Sequence, residues 1–144
     1  GSRLAVWRGR IAGVIVDSSA LLAIILDEPD AERFALAIAD AEEARIGAPN
    51  WVEVAIVTSA RADSTLLDRM EGFVSDLRLR IAPFLASHAL EARRAWQTFG
   101  RGRHPARLNY GDCMAYGFAK AEGDALLFKG GDFALTDIEP ALKD

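Results

Sequence analysis

The stretch VIVDSSALLAIIL, residues 14–26, restricts the possible folds of this chain more than any other. Its apolar side chains demand burial, and Asp17 stands among them, where a carboxylate is costly unless it is paired or bound to a metal. Val14, Ile15 and Val16 form a β-branched run that predicts a short strand ended by Asp17. Ser18 and Ser19 can then cap a helix that begins near Ala20 and runs through LLAIILDE. A strand that ends on an acid and turns directly into a helix delivers that acid to the carboxyl edge of its sheet, where open parallel sheets take ligands.

The rest of the chain repeats this alternation. Pro29-Asp30 restarts the backbone, and Phe34, Leu36, Ile38 and Ala41 predict a second helix reaching about Glu43. RIGA at 45–48 is short enough for a second buried strand. Asn50 and Glu53 have the spacing of a capping box, which puts Glu53 in the first turn of the helix continued by VEVAIVTSARA. Leu66, Leu67, Met70, Phe73, Val74 and Leu77 predict an amphipathic helix over 65–79. A strand at 80–84 and a helix at 87–99 follow. Residues 100–109, GRGRHPARLN, carry no period and read as a basic loop. A helix over 110–122 leads to the continuous apolar run ALLF at 125–128, expected to be a central strand, which Gly130-Gly131 ends. Strands alternating with helices imply right-handed crossovers, hence an α/β domain with a mainly parallel sheet flanked by helices on both faces.

The 144 residues contain no Pro/Gly/Ser-rich linker, so one domain is expected, and the 51% hydrophobic content is enough for a large core. A single cysteine, Cys113, excludes an intramolecular disulfide, and the apolar runs are too short to span a bilayer. The expected setting is soluble, reducing and cytoplasmic. Gly1-Ser2 reads as a cloning remnant, and residues 1–13 as an N-terminal extension ahead of a domain at 14–144. The net charge of −4 argues against coating nucleic acid by bulk charge, although a local basic patch remains compatible with a phosphate backbone. Of the 17 basic residues 14 are arginines, which suit bidentate phosphate contacts.

Asp17 and Asp132 follow the first and last strands, while Glu53 and Asp112 lie near the starts of two helices, where the positive dipole end favours carboxylates. All four are therefore expected at one edge of the sheet. Carboxylates gathered in this way raise one another's pKa, and a divalent cation is the simplest means of stabilising them. Oxygen donors select Mg²⁺, which takes ligands at about 2.0–2.1 Å and keeps several waters, or Mn²⁺. Such an ion lowers the pKa of a bound water and neutralises charge on a phosphate in the transition state. Ser18 or Ser19 could hold that water or the phosphate.

Four blocks carry a family resemblance: VIVDSSALLAIILDEPDAERF, PNWVEVAIV, RLNYGDCMAYGFAK and LLFKGGDFALTDI. In order and context they are similar to the signature blocks of PIN-domain toxins of the VapC type, over residues 14–138. The resemblance implies an endoribonuclease toxin whose acidic ligands match Asp17, Glu53, Asp112 and Asp132, with Asp137 a further acid near the site and Ser18 a supporting group. It also implies inhibition by a VapB-type antitoxin and a homodimer. The high apolar content and the helix at 65–79 point to self-association as well.

Arg101, Arg103, His104 and Arg107 form the densest basic stretch, placed to grip RNA phosphates beside Asp112. Trp51, Trp96 and Tyr110 could stack bases, but core packing is the expectation for each. Cys113 reads as a small buried hydrophobe. Two other functions remain open. A receiver-like or phosphoryl-transfer domain would use Asp17 as phosphoacceptor and Lys129 to steady the phosphate, and a non-catalytic PIN-like domain would only bind a partner. The additional acids favour the nuclease over both. With His88 and His104 as the only histidines, a Ser-His-Asp hydrolase is poorly supported.

Overall fold

A computed structural model describes residues 13–61 and 63–143, so the expected N-terminal extension lies, apart from Gly13, outside the described residues. Four parallel strands form one sheet in the order β3-β2-β1-β4: β1 (Gly13–Val16), β2 (Glu43–Gly47), β3 (Arg80–Ala82) and β4 (Ala125–Leu127). The helices are α1 (Ser18–Ile25), α2 (Ala31–Asp40), α3 (Ala48–Ser59), α4 (Leu66–Asp76), α5 (Ala86–Phe99) and α6 (Tyr110–Glu122).

The two-residue period of β1 decides the layers. Val14 and Val16 point into a core made with α1 to α4, through Leu21, Phe34, Ile38, Val54 and Met70. Ile15 points the other way, into a second core with α5, α6 and the C-terminal segment, through Ala92, Phe118, Leu126, Phe133 and Ile138. Each Val, Ile or Leu buried in this way contributes about 1.5–3 kcal/mol, so the strand is pinned from both faces. On the second face α5 and α6 pack closely because Gly117 lacks a side chain. A Cβ there would lie 2.6 Å from the backbone of both Ala92 and His88.

Three expectations change. The apolar run at 125–128 is not a central strand: β4 lies at the edge of the sheet. Its hydrophobicity is explained by the returning chain, which covers that edge as Leu126 N–H donates to the Glu139 carbonyl (2.9 Å) and Ala141 N–H to the Leu126 carbonyl (2.8 Å). The helix bearing Glu53 starts earlier than predicted, at Ala48, because Pro49 favours a first-turn position. Asn50 is therefore no cap, and Glu53 falls in the second turn. Finally, α4 turns Leu66 and Met70 into the core and leaves Leu67 as its exposed large apolar residue, so the apolar surface expected there is found on α3, at Val52 and Ile56.

The two sheet edges differ in charge. At the amino edge Arg45 bridges Glu122 (2.9 Å), Asp124 (2.7 Å) and Glu43 (3.2 Å) above the Phe118 ring. Buried His88 accepts from Leu85 N–H through Nδ1 and meets Glu122 through Nε2 at 2.8 Å. Opposite charges meet there and tie β2, β4, α5 and α6 together. The carboxyl edge carries Asp17, and Lys129 leaves β4 there to pair with Glu28.

Candidate active site

Asp17 ends β1 and is the N-cap of α1, a role that sequence reasoning gave to the serines. Its Oδ2 accepts from Ser19 N–H (3.0 Å) and Ser19 Oγ (2.6 Å). The hydroxyl of Ser19 in turn accepts from Lys129 N–H (2.9 Å), which joins the cap to the chain leaving β4. Asp17 is 3% exposed. Burial is the main reason its pKa is pushed up to about 7; the Ser19 hydrogen bonds oppose the rise, and the charges of Asp112 and Glu53 add to it.

Ser18, one residue on, donates to Glu53 Oε1 (2.6 Å). Asn50, 1% exposed, donates to Ser18 Oγ (3.0 Å) and to the Gly111 carbonyl (3.1 Å), so it locks α1, α3 and α6 together beneath the acids. Gly111 leaves room for the Glu53 carboxylate, since a Cβ would lie 2.7 Å from Glu53 Oε2 and displace it. Asp112 sits in the first turn of α6 and forms a reciprocal box with Asn109: Asp112 N–H donates to Asn109 Oδ1 (2.8 Å), and Asn109 N–H donates to Asp112 Oδ2 (3.0 Å). Burial raises the pKa of Asp112, the bond from Asn109 lowers it, Asp132 and Glu53 raise it further, and Arg101 lowers it. Asp132 is exposed ahead of the short 3₁₀ turn Phe133–Leu135, with no cap bond of its own.

Asp17, Glu53 and Asp112 thus fall within electrostatic reach of one another, and Asp132 within reach of Asp112. As they stand, no three Asp, Glu, His or Cys side chains among the described residues are drawn closely enough together to ligate one ion. Ser19, Ser18 and Asn109 each hold one of three carboxylates, those of Asp17, Glu53 and Asp112. A donor set composed of carboxylate oxygens, one of them buried with a raised pKa, fits a hard divalent cation in its chemistry.

The family profile of the PIN domain matches residues 14–139, which contain all of this machinery. The chain belongs to the PIN-domain family. Its curated relatives include VapC ribonuclease Mb0640 of Mycobacterium bovis and ribonuclease VapC30 of Mycobacterium tuberculosis, each 42% identical over 87% of this chain and 95% of the relative. Ribonuclease VapC of Mycolicibacterium smegmatis is 39% identical over 87% of this chain and 97% of its own. Among solved structures, VapBC2 from Rickettsia felis bound to a DNA fragment from its promoter has the same fold, with a TM-score of 0.70 over 89% of this chain and 96% of that one at 16% identity.

Within the PIN domain the other expected site residues are dispersed. Asp137 lies beside Tyr116 and Lys120, accepting from the Tyr116 hydroxyl and pairing with the lysine at 3.2 Å, two and three turns along α6 from its start. These partners hold its pKa below the usual range. His104 is not directed outward: its Nδ1 accepts from Ala106 N–H (3.0 Å) and its ring meets Phe99 edge-on, so it bolts the basic loop internally. Arg101, Arg103 and Arg107 are exposed. The Lys129 ammonium pairs with Glu28 at 2.5 Å, which removes the lysine that a receiver-like site would direct at Asp17. Trp51 packs against the core as expected, whereas Trp96 and Tyr110 are 40% and 76% exposed and contradict that expectation. Sequence reasoning missed Asn50 as a site residue; the available signal was a polar side chain one position before the apolar helix run.

Proposed function

We propose that this PIN domain is a divalent-metal-dependent endoribonuclease, the toxin of a toxin–antitoxin pair, hydrolysing RNA phosphodiester bonds. The observation that carries it is Asp17, buried at the end of β1 within electrostatic reach of Asp112 and Glu53, in a chain that shares 42% identity with proteins named VapC ribonucleases. Its capping bonds to Ser19 serve the fold, but an asparagine would supply them without the cost of a buried charge. Like charges at a strand edge are kept when they do chemistry.

Asp17, Glu53, Asp112 and Asp132 would hold Mg²⁺ or Mn²⁺, which when bound acidifies water and neutralises charge on the phosphate. Ser19 orients Asp17, and Ser18 orients Glu53. Asn50 fixes the Ser18 hydroxyl and the Gly111 backbone, so the helices that carry Glu53 and Asp112 are held side by side, and the carboxylates close on the ion when it binds. Arg101 opposes the negative field at Asp112 and, with Arg103 and Arg107, offers cations to an RNA backbone that four acids alone would repel. The protein acts in the cytoplasm, is held inactive by a VapB-type antitoxin and is a homodimer; the exposed Val52 and Ile56 of α3 supply apolar surface for association.

Purified protein incubated with total RNA should cut it in Mg²⁺ or Mn²⁺ and leave it intact in EDTA. Cleavage that persists in EDTA, with contaminating nuclease excluded, would refute the metal dependence.

A further inference from the structure

A groove of about 530 Å³ runs between α5 and α6 and reaches the first turn of α6 at Asn109 and Tyr110; the four acids do not line it. Its floor is apolar, formed by Ala92, Met114 and the buried Cys113. Trp96 and Tyr110 line it, and Arg93 and Arg101 stand at its rim. Tyr110 is the first residue of α6, and its exposed ring stands on the face of the helix that carries Cys113 and Met114.

These features match a ligand that is planar and apolar on its faces and anionic along its backbone. Aromatic rings stack bases of any identity, and guanidinium groups contact the adjoining phosphates. We propose that this groove is a nucleobase subsite, in which Tyr110 and Trp96 stack an unpaired base of the bound strand while Arg93 and Arg101 hold its backbone. The proposal rests on the ribonuclease reading above and refines it: the bound strand turns an unpaired base onto the α5–α6 face, away from the acids themselves. Charge complementarity selects RNA over an apolar peptide, since an anionic strand uses both the rim and the floor, whereas an apolar helix uses the floor alone.

Single-turnover cleavage of an unstructured oligoribonucleotide in Mn²⁺ tests this. In Tyr110→Ala the half-saturating protein concentration should rise about five- to a hundredfold, the range that loss of a stacking ring produces, with the maximal rate within about threefold of wild type. Tyr110→Phe and Trp96→Phe, which keep a ring, should stay close to wild type. The same oligonucleotide with abasic residues around the cut should bind wild type and Tyr110→Ala equally weakly. Tyr110 is exposed, so its truncation does not endanger the fold. If wild type cuts and Tyr110→Ala saturates at the same concentration, the subsite is wrong and the nuclease stands. If that variant instead loses affinity for an antitoxin peptide, the groove belongs to the peptide and the proposal is overturned. If wild type cuts no RNA at all, both readings fall.

Discussion

Replacing Asp17 by Asn should make the protein more stable at neutral pH while abolishing cleavage. The folded pKa lies above the ordinary value, so the folded state holds its proton more tightly than the unfolded chain does. The stability this contributes is fully present below about pH 4 and is lost as pH rises to about 7. The gap between 3.8 and about 7, at about 1.36 kcal/mol per pH unit, corresponds to about 4 kcal/mol lost by pH 8. An asparagine oxygen can still accept from Ser19 N–H, so the helix cap survives. Urea denaturation of both proteins in EDTA should give equal stabilities near pH 4 and a growing advantage for Asp17→Asn, up to about 4 kcal/mol, at pH 8. A difference that does not vary with pH, or a variant less stable at pH 8 only, would refute the assignment of an electrostatically strained buried carboxylate.

Three further outcomes follow from the same geometry. Gly111→Ala should fold normally, with stability within about 1 kcal/mol of wild type because only the flexible end of Glu53 must move, yet cleave at least about tenfold more slowly as Glu53 leaves Ser18. Asn50→Ala leaves the Gly111 carbonyl and the Ser18 hydroxyl without their buried donor and should cost about 1–3 kcal/mol in a urea melt. Because a proton and a cation compete for Asp17, the apparent Mn²⁺ affinity by calorimetry should weaken up to about tenfold per pH unit below pH 7 in wild type and lose that dependence in Asp17→Asn.

Element types were legible wherever burial is two-sided or strictly periodic. Val14 to Val16 could only be a buried strand, and the helix at Tyr110–Glu122 agrees with the predicted 110–122. What escaped the sequence depended on contacts between distant segments. The cover that Glu139 and Ala141 give β4 joins residues that no local pattern relates, so the apolar run there mimicked a central strand. Asn50 matched a cap by spacing, but Pro49 shifted the helix start and turned the same side chain into a buried tie to Ser18 and Gly111. Exposure of Tyr110 and Trp96 depends on how α5 and α6 pack, which a period of 3.6 does not report. The four acids stood out because each occupies a strand end or an early helical turn, and because Asp17 interrupts a run that would otherwise be wholly apolar.

The central claim is that Asp17, Glu53, Asp112 and Asp132 act as one cation-binding unit in RNA hydrolysis. The most direct measurement pairs the Mn²⁺ binding isotherm with the cleavage rate for Asp17→Asn, Glu53→Gln, Asp112→Asn and Asp132→Asn, each verified as folded. The account predicts that every variant loses affinity for Mn²⁺ and falls about a hundredfold or more in rate, as happens when transition-state charge stabilisation is removed. A folded variant that binds Mn²⁺ with wild-type affinity and cuts RNA at the wild-type rate would contradict it.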